Sequence, residues 1–236
     1  MIFRYRHTRV LVGLLLAGLF ASCSGTVEES EKVYSLGNEA FASLDFKRAL
    51  LYFDEAIRLN PDNAEAYLKR GQIRWQSNQY EKSLPDLDRA IELDSTLTWA
   101  YFFRGVGLIN LDQLEAALPD FTRVIDRNEF ESEDIVRALT WRSIALFKLE
   151  RYDESIADLS ARVEREPLKV IHRIDRGGAY QSVGESEKAI ADYRFAIETE
   201  GLDEDLRKIL ATRLLSLGIE VPDVAQNDST TAAAND

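Results

Sequence analysis

The chain has 236 residues, 45% of them hydrophobic and 30% charged, and a formal net charge of −12 at pH 7. That is enough apolar material to bury a core in one large domain or one continuous array. The acidity opposes binding to nucleic acid and docking on anionic lipid, since both attract Lys and Arg and repel carboxylates.

Residues 1–22 stand apart from the rest. Arg4, Arg6 and Arg9 form a basic segment, and Val10 to Phe20 is an apolar run followed by the small residues Ala21 and Ser22. This is the pattern of a secretory signal peptide, and the run is too short to cross a hydrocarbon layer ~30 Å thick. Phe20-Ala21-Ser22-Cys23 resembles a bacterial lipobox, with Phe where Leu is usual. The resemblance implies that Cys23 becomes the lipidated first residue, carrying palmitate-like chains, with 23–29 as a linker. Cys23 is the only Cys in the chain, and lipidation would account for a thiol that is otherwise a lone reactive group in an exported protein. More than one acyl chain, at ~0.8 kcal/mol per buried CH₂, makes such an anchor stable. The lipoprotein resemblance implies, from Ser24 where Asp would retain the protein, the outer membrane; with Ser-Gly-Thr-Val standing before Glu28 and Glu29, the expected face is the periplasmic one. Losing three Arg and no acid would take the charge from −12 to −15.

The chain then repeats itself. With Ser30 as position 1 of a 34-residue unit and Ser132 to Ile135 counted as an insertion, position 8 holds Gly37, Gly71, Gly105, Ser143 and Gly177. Position 20 holds Ala49, Ser83, Ala117, Ser155 and Ala189, and position 24 holds Phe53, Leu87, Phe121, Leu159 and Tyr193. Small residues at 8 and 20 let two helices approach while the larger residue at 24 fills the space beside them. Pro61 and Pro167 fall at position 32, and Pro85 and Pro119 at position 22, which places the latter pair near the start of a second helix, where a missing N–H costs little.

This period, with its Gly, Ala, aromatic and Pro at constant offsets, resembles the tetratricopeptide repeat. The resemblance implies an all-α fold: a right-handed superhelix of about five helix-turn-helix repeats, 30–63, 64–97, 98–131, 136–169 and 170–203. Leu206, Ile209, Leu210, Leu214 and Leu217 continue at helical spacing and mark 204–219 as a capping helix. The segment 220–236 has almost nothing to bury and is expected to be disordered.

Repeat four departs from the pattern. It has Ser143 at position 8 and Arg162 at position 27, where the other repeats have Ala56, Ala90, Val124 and Ala196, so its second helix is expected to be shifted or loosely packed. The acidic run EFESED before it reads as a solvated loop. Arg at position 7 and Asp at position 23 occur together in repeats two to five, as Arg70 and Asp86, Arg104 and Asp120, Arg142 and Asp158, Arg176 and Asp192; repeat one has Leu36 and Tyr52. Two positions that change together within one chain predict an ion pair between the two helices.

The family resemblance places positions 2, 5, 9, 12 and 13 on the concave face, where such repeats bind peptides. Those positions hold Tyr34, Asn38 and Phe41 in repeat one, Leu68, Gln72 and Trp75 in repeat two, Trp99, Phe102, Val106 and Ile109 in repeat three, and Phe147 in repeat four. An exposed aromatic wall of that kind indicates a partner. On the helical wheel Tyr101 falls on the opposite, inward side.

Catalysis is poorly served. His172 would stand alone, since His7 leaves with the signal peptide, and no nucleophile motif or metal-ligating cluster accompanies it. The RGVG and RGGA stretches place their first Gly inside a helix, not in a phosphate loop. The expected function is a non-enzymatic, membrane-anchored scaffold of the bacterial cell envelope, without cofactor, metal, nucleic acid or small-molecule substrate. Two alternatives stand beside it: a pilotin-like assembly factor for an outer-membrane complex, and a chaperone-like holder of C-terminal acidic peptides. The latter is disfavoured: the family resemblance implies Lys at position 5 and Asn at position 9 of the first repeat in such holders, and here Asn38 fits but Tyr34 does not, while a charge of −15 would repel such ligands.

Overall fold

The computed structural model describes residues 26–127 and 132–221. Cys23, the apolar run before it and the tail from residue 222 lie outside the described residues. Those described form helices joined by short connections, with no strand among them. Helix α1 covers 26–42. It is followed by α2 (Phe46–Leu59), α3 (Ala64–Gln76), α4 (Tyr80–Leu93), α5 (Thr98–Asn110), α6 (Leu114–Ile125), α7 (Ser132–Lys148), α8 (Tyr152–Arg165), α9 (Val170–Ser182), α10 (Ser186–Ile197) and α11 (Glu204–Ser216). Odd-numbered helices are the first members of the 34-residue units and even-numbered ones the second, with α11 last. The chain divides into two compact units at Gln113 and Leu114.

The helix pairs are closed by one repeated device that is invisible in residue type. Position 15 is left-handed in all five repeats: Leu44 (φ 60°), Asn78 (56°), Asp112 (59°), Glu150 (60°) and Gly184 (80°). In each, the next residue sends its N–H back to the carbonyl at position 11, as from Asp45 to Ala40, Gln79 to Arg74, Gln113 to Leu108, Arg151 to Leu146 and Glu185 to Tyr180, at 2.8–2.9 Å. This bond satisfies a carbonyl that the helix end leaves without a partner. Only Gly184 adopts such a φ without strain.

Small residues at position 8 are required by position 24. A Cβ on Gly37 would lie 2.6 Å from Phe53 Cε1, and one on Gly177 would lie 2.7 Å from Tyr193 Cε1. Phe53 and Tyr193 are fully buried, each in the core of its own unit. Repeat four solves the same problem differently. Ser143 turns its hydroxyl to Thr140 O (2.8 Å), and buried Ser155 donates to the Ser143 carbonyl (2.9 Å).

Several expectations are corrected. Of the EFESED run expected as a loop, Ser132, Glu133 and Asp134 instead begin α7, where Glu133 and Asp134 face Arg137 at 2.7 and 3.8 Å, and the other three residues lie outside those described; acids at a helix N-terminus are favoured by its dipole. Pro85 and Pro119 are sixth in α4 and α6, past the first turn. In the capping helix Ile209 is half exposed, and Ala211 joins Leu210 and Leu214 in the buried stripe. The second helix of repeat four is regular, with Arg162 buried in it. No described helix is long and apolar enough to cross a membrane.

Candidate interaction groove

The Arg and Asp residues that recur at positions 7 and 23 meet within each unit. Arg70 donates from Nε and Nη2 to the two carboxylate oxygens of Asp86 at 3.0 and 2.5 Å, Arg142 to Asp158 at 2.8 and 2.6 Å, and Arg176 to Asp192 at 2.8 and 2.8 Å. The two members of the remaining pair, Arg104 and Asp120, belong to different units. The third guanidinium nitrogen was not anticipated. Arg70 Nη1 reaches Asp54 (2.7 Å), Arg104 Nη1 reaches Asp88 (2.8 Å), Arg142 Nη1 reaches Thr122 (2.9 Å) and Arg176 Nη1 reaches Ser160 (3.5 Å). All four acceptors sit at position 25 of the preceding repeat.

Arg70, Arg142 and Arg176 each therefore tie their own second helix to the second helix before it, using the fork that only Arg presents. The hydrogen bond with Asp158 holds the Arg142 pKa above the ordinary guanidinium value, and that with Asp192 does the same for Arg176. For Arg70 burial pulls the other way, but the bonds to Asp86 and Asp54 outweigh it. The signal in the sequence was a hydroxyl or carboxylate at position 25 in four successive repeats.

The expected aromatic wall divides in two. In the first unit part of it is internal packing. Leu68, Phe102, Val106 and Ile109 are buried, as is Phe103. Trp75 meets Phe103 at 5.0 Å between ring centroids, Trp99 stacks on Phe103 at 5.7 Å, and Trp99 and Phe102 meet edge to face at 5.4 Å. Phe102, Val106, Ile109 and Leu68 are therefore core residues, not an open wall: α3 and α5 pack directly on one another, and the side chains between two such helices are covered.

Tyr34, Asn38, Phe41, Gln72, Trp75 and Trp99 stay partly exposed. The Tyr34 ring packs on Phe53 at 5.8 Å and its hydroxyl donates to Glu65 at 3.4 Å, while Lys69 sits 5.4 Å from the Phe41 ring. Burial pushes the Tyr34 hydroxyl above the usual phenol range. Tyr101, expected inward, is only half buried; its hydroxyl reaches Ser95 O at 3.5 Å and its ring lies under Arg104.

In the second unit the same positions enclose open space. A cavity of about 530 Å³ is lined by Thr140, Ile144, Phe147 and Lys148 from α7, which are positions 5, 9, 12 and 13 of repeat four. Ile174, Gly178 and Ser182 from α9 hold positions 5, 9 and 13 of repeat five. Arg162 forms part of the wall, and Arg213 enters from the capping helix. Ile144 and Phe147 are exposed large apolar side chains, and the Phe147 ring also meets Tyr152 edge to face at 5.1 Å. The volume falls in the range of small-ligand and peptide-side-chain pockets. Of the expected groove residues only Phe147 lines it. The frame already named the other positions in repeats four and five, but Arg213 lies outside the period and had no signal.

His172 is not poised for catalysis. It is buried, and Arg162 Nη2 donates to its Nδ1 at 2.8 Å, so Nε2 carries the proton and donates to Glu166 at 2.6 Å. Hydrogen bonds from Lys169 and His172 hold the Glu166 carboxyl below its usual range. Among the described residues no cluster of three His, Cys, Asp or Glu is arranged to hold a metal.

A family model of the tetratricopeptide repeat matches residues 34–97 and 104–168, more than half of the chain. The chain belongs to the tetratricopeptide repeat family. In structure this tetratricopeptide repeat protein is similar to YrrB, described as having an unusual peptide-binding site, with 22% identity, a TM-score of 0.67, and coverage of 79% of this chain and 95% of YrrB. It is also similar to MamA from Desulfovibrio magneticus, at 16% identity and a TM-score of 0.64, covering 72% and 93% of the two chains. A third similar structure is PilW, described as a type IV pilus biogenesis factor, at 14% identity and a TM-score of 0.65, covering 87% and 93%. At these identities the likeness concerns the fold. No curated protein matches the sequence.

Proposed function

We propose that this tetratricopeptide repeat protein is a non-enzymatic scaffold that holds a segment of a partner protein and is anchored in a bacterial cell envelope by lipid on Cys23. The observation that carries the reading is the cavity at positions 5, 9, 12 and 13 of repeats four and five, with Ile144 and Phe147 exposed at its edge. Apolar side chains that adjoin one another at the edge of open space mark an interaction site, where one scattered alone would not. The peptide-binding site described for YrrB supports a peptide as the occupant. Similarity to PilW over 87% of this chain favours, as a second reading, an assembly factor for an outer-membrane complex.

Capture of partners from envelope membranes tests the groove. The double variant Ile144→Ala, Phe147→Ala is expected to lose capture at least about tenfold, because anchors of this kind dominate binding. Its unfolding free energy is expected to fall by no more than about 1–2 kcal/mol, since both side chains are already partly in water. Capture equal to wild type would remove the groove from the function. The anchor is tested separately: Cys23→Ser is expected to abolish incorporation of labelled palmitate and release the protein from membranes, and undiminished labelling would remove the lipid from the proposal.

A further inference from the structure

The cavity in the second unit carries an excess of positive charge in a chain whose net charge is −12. Lys148, Arg162 and Arg213 line it against a single carboxylate, Asp175. Arg162 Nη1 pairs with Asp175 at 3.0 Å, and the two charges offset each other. Arg213 has only neutral company: Nη1 donates to the Tyr193 hydroxyl at 3.0 Å, and the guanidinium lies 5.6 Å from that ring. Among the described residues no carboxylate lies within ion-pair distance of Arg213 or Lys148. The position-7 arginines, by contrast, are all paired with a carboxylate.

Gly178 makes room for that guanidinium. It stands in the interior of α9, where Gly costs ~1 kcal/mol relative to Ala. A Cβ there would come 3.1 Å from Arg213 Nη1, tighter than ordinary contact. The absent side chain leaves the Arg213 head open toward the cavity, beside the apolar surface of Ile144, Phe147 and Ile174.

We infer that this cavity binds an extended peptide segment in which an internal Asp or Glu neighbours a large apolar residue. The carboxylate is taken by Arg213, with Lys148 at the rim, and the apolar side chain lies against Ile144, Phe147 and Ile174. The inference rests on the scaffold reading above and names the chemistry of the segment held. The cavity is open to solvent, so a passing segment enters it as readily as a chain end. The strongly acidic remainder of the protein repels a long acidic run at a distance, so an isolated acid beside apolar residues is favoured over a poly-acidic tract.

The test uses the full chain and two peptides blocked at both ends, acetyl-Ala-Leu-Glu-Leu-Ala-amide and its Gln counterpart. Calorimetry gives affinity, and the methyl resonances of Ile144 and Ile174 report the site. The Glu peptide is expected to bind at least about tenfold more tightly than the Gln peptide, as a charge-assisted bond to a guanidinium requires. Both methyls are expected to shift on titration.

Arg213→Gln and, independently, Lys148→Gln are expected to shrink that ratio; Lys148 is exposed, so its variant leaves the packing intact. Equal binding of the two peptides, or no heat and no shift at millimolar peptide, overturns the inference. A Gln peptide with a free C-terminus that binds as tightly as the blocked Glu peptide also overturns it, in favour of a chain end. Membrane capture separates the two levels. Loss of capture in the Ile144/Phe147 double variant with full capture in Arg213→Gln sinks the acidic specificity and keeps the scaffold; full capture in both sinks the scaffold groove as well.

Discussion

Asp86→Ala is expected to destabilise the first unit by about 3 kcal/mol, near the lower end of what breaking a buried ion pair costs. The Asp86 side chain is 4% exposed and accepts from Arg70 Nε, Arg70 Nη2 and Arg74 Nη1. Removing it leaves two guanidinium groups without that acceptor in a place where water replaces it poorly. Their side chains are 17% and 27% exposed, so solvent recovers a part, which is why the lower end applies.

Asp54→Ala removes the other acceptor of the same Arg70. That carboxylate is 54% exposed, and its loss is expected to cost less than about 1 kcal/mol. Urea unfolding at neutral pH measures both. The Asp54 effect should also shrink at high salt while the Asp86 effect persists, because screening reaches exposed pairs first. Equal destabilisation by the two variants would mean that the inter-repeat bond at position 25 carries as much as the bidentate pair, contrary to the burial.

The second large effect concerns the aromatic run at Trp99 to Phe103. Phe102→Ala is expected to cost about 3–5 kcal/mol, the range for truncating a buried Phe with incomplete collapse around the gap. Phe102 is 7% exposed and meets both Trp99 and Phe103. Tyr101→Ala should cost less than half as much, since Tyr101 is partly exposed and its hydroxyl reaches Ser95 O only at 3.5 Å. The order of the two is the informative quantity. A helical wheel puts Tyr101 inward and Phe102 outward, and would rank them the other way. Thermal or urea unfolding of the two single variants decides it, and a Tyr101 effect equal to or above that of Phe102 would restore an open aromatic wall in repeat three.

Much of this protein was legible in order along the chain. The 34-residue spacing of Gly37, Gly71 and Gly177 against Phe53, Leu87 and Tyr193 reports a contact inside a single repeat, between two helices joined by a short turn, and such contacts reappear as a period in the sequence. The Arg and Asp at positions 7 and 23 were legible for the same reason: Arg70 and Asp86 are sixteen residues apart, and so are Arg142 and Asp158. Features set by backbone geometry were not. Leu, Asn, Asp, Glu and Gly all occupy the left-handed position 15, because the closing bond is made by main-chain atoms of the residues at positions 16 and 11.

The candidate site shows where reading along the chain stops. Within the repeat, residue types at positions 5, 9 and 12 determined that the inner face would be apolar. Whether that face is open or filled depended on the neighbouring first helix. Trp75 and Phe103 meet across α3 and α5 and close the space, whereas Thr140, Gly178 and Ser182 are small and leave about 530 Å³ between α7 and α9. Arg213 reaches that space from a helix outside the repeat. A periodic sequence specifies what each repeat does to itself, since those contacts are local and recur. What one repeat leaves uncovered is decided by the summed volume of side chains from separate helices, and only the packed tertiary structure adds those volumes together.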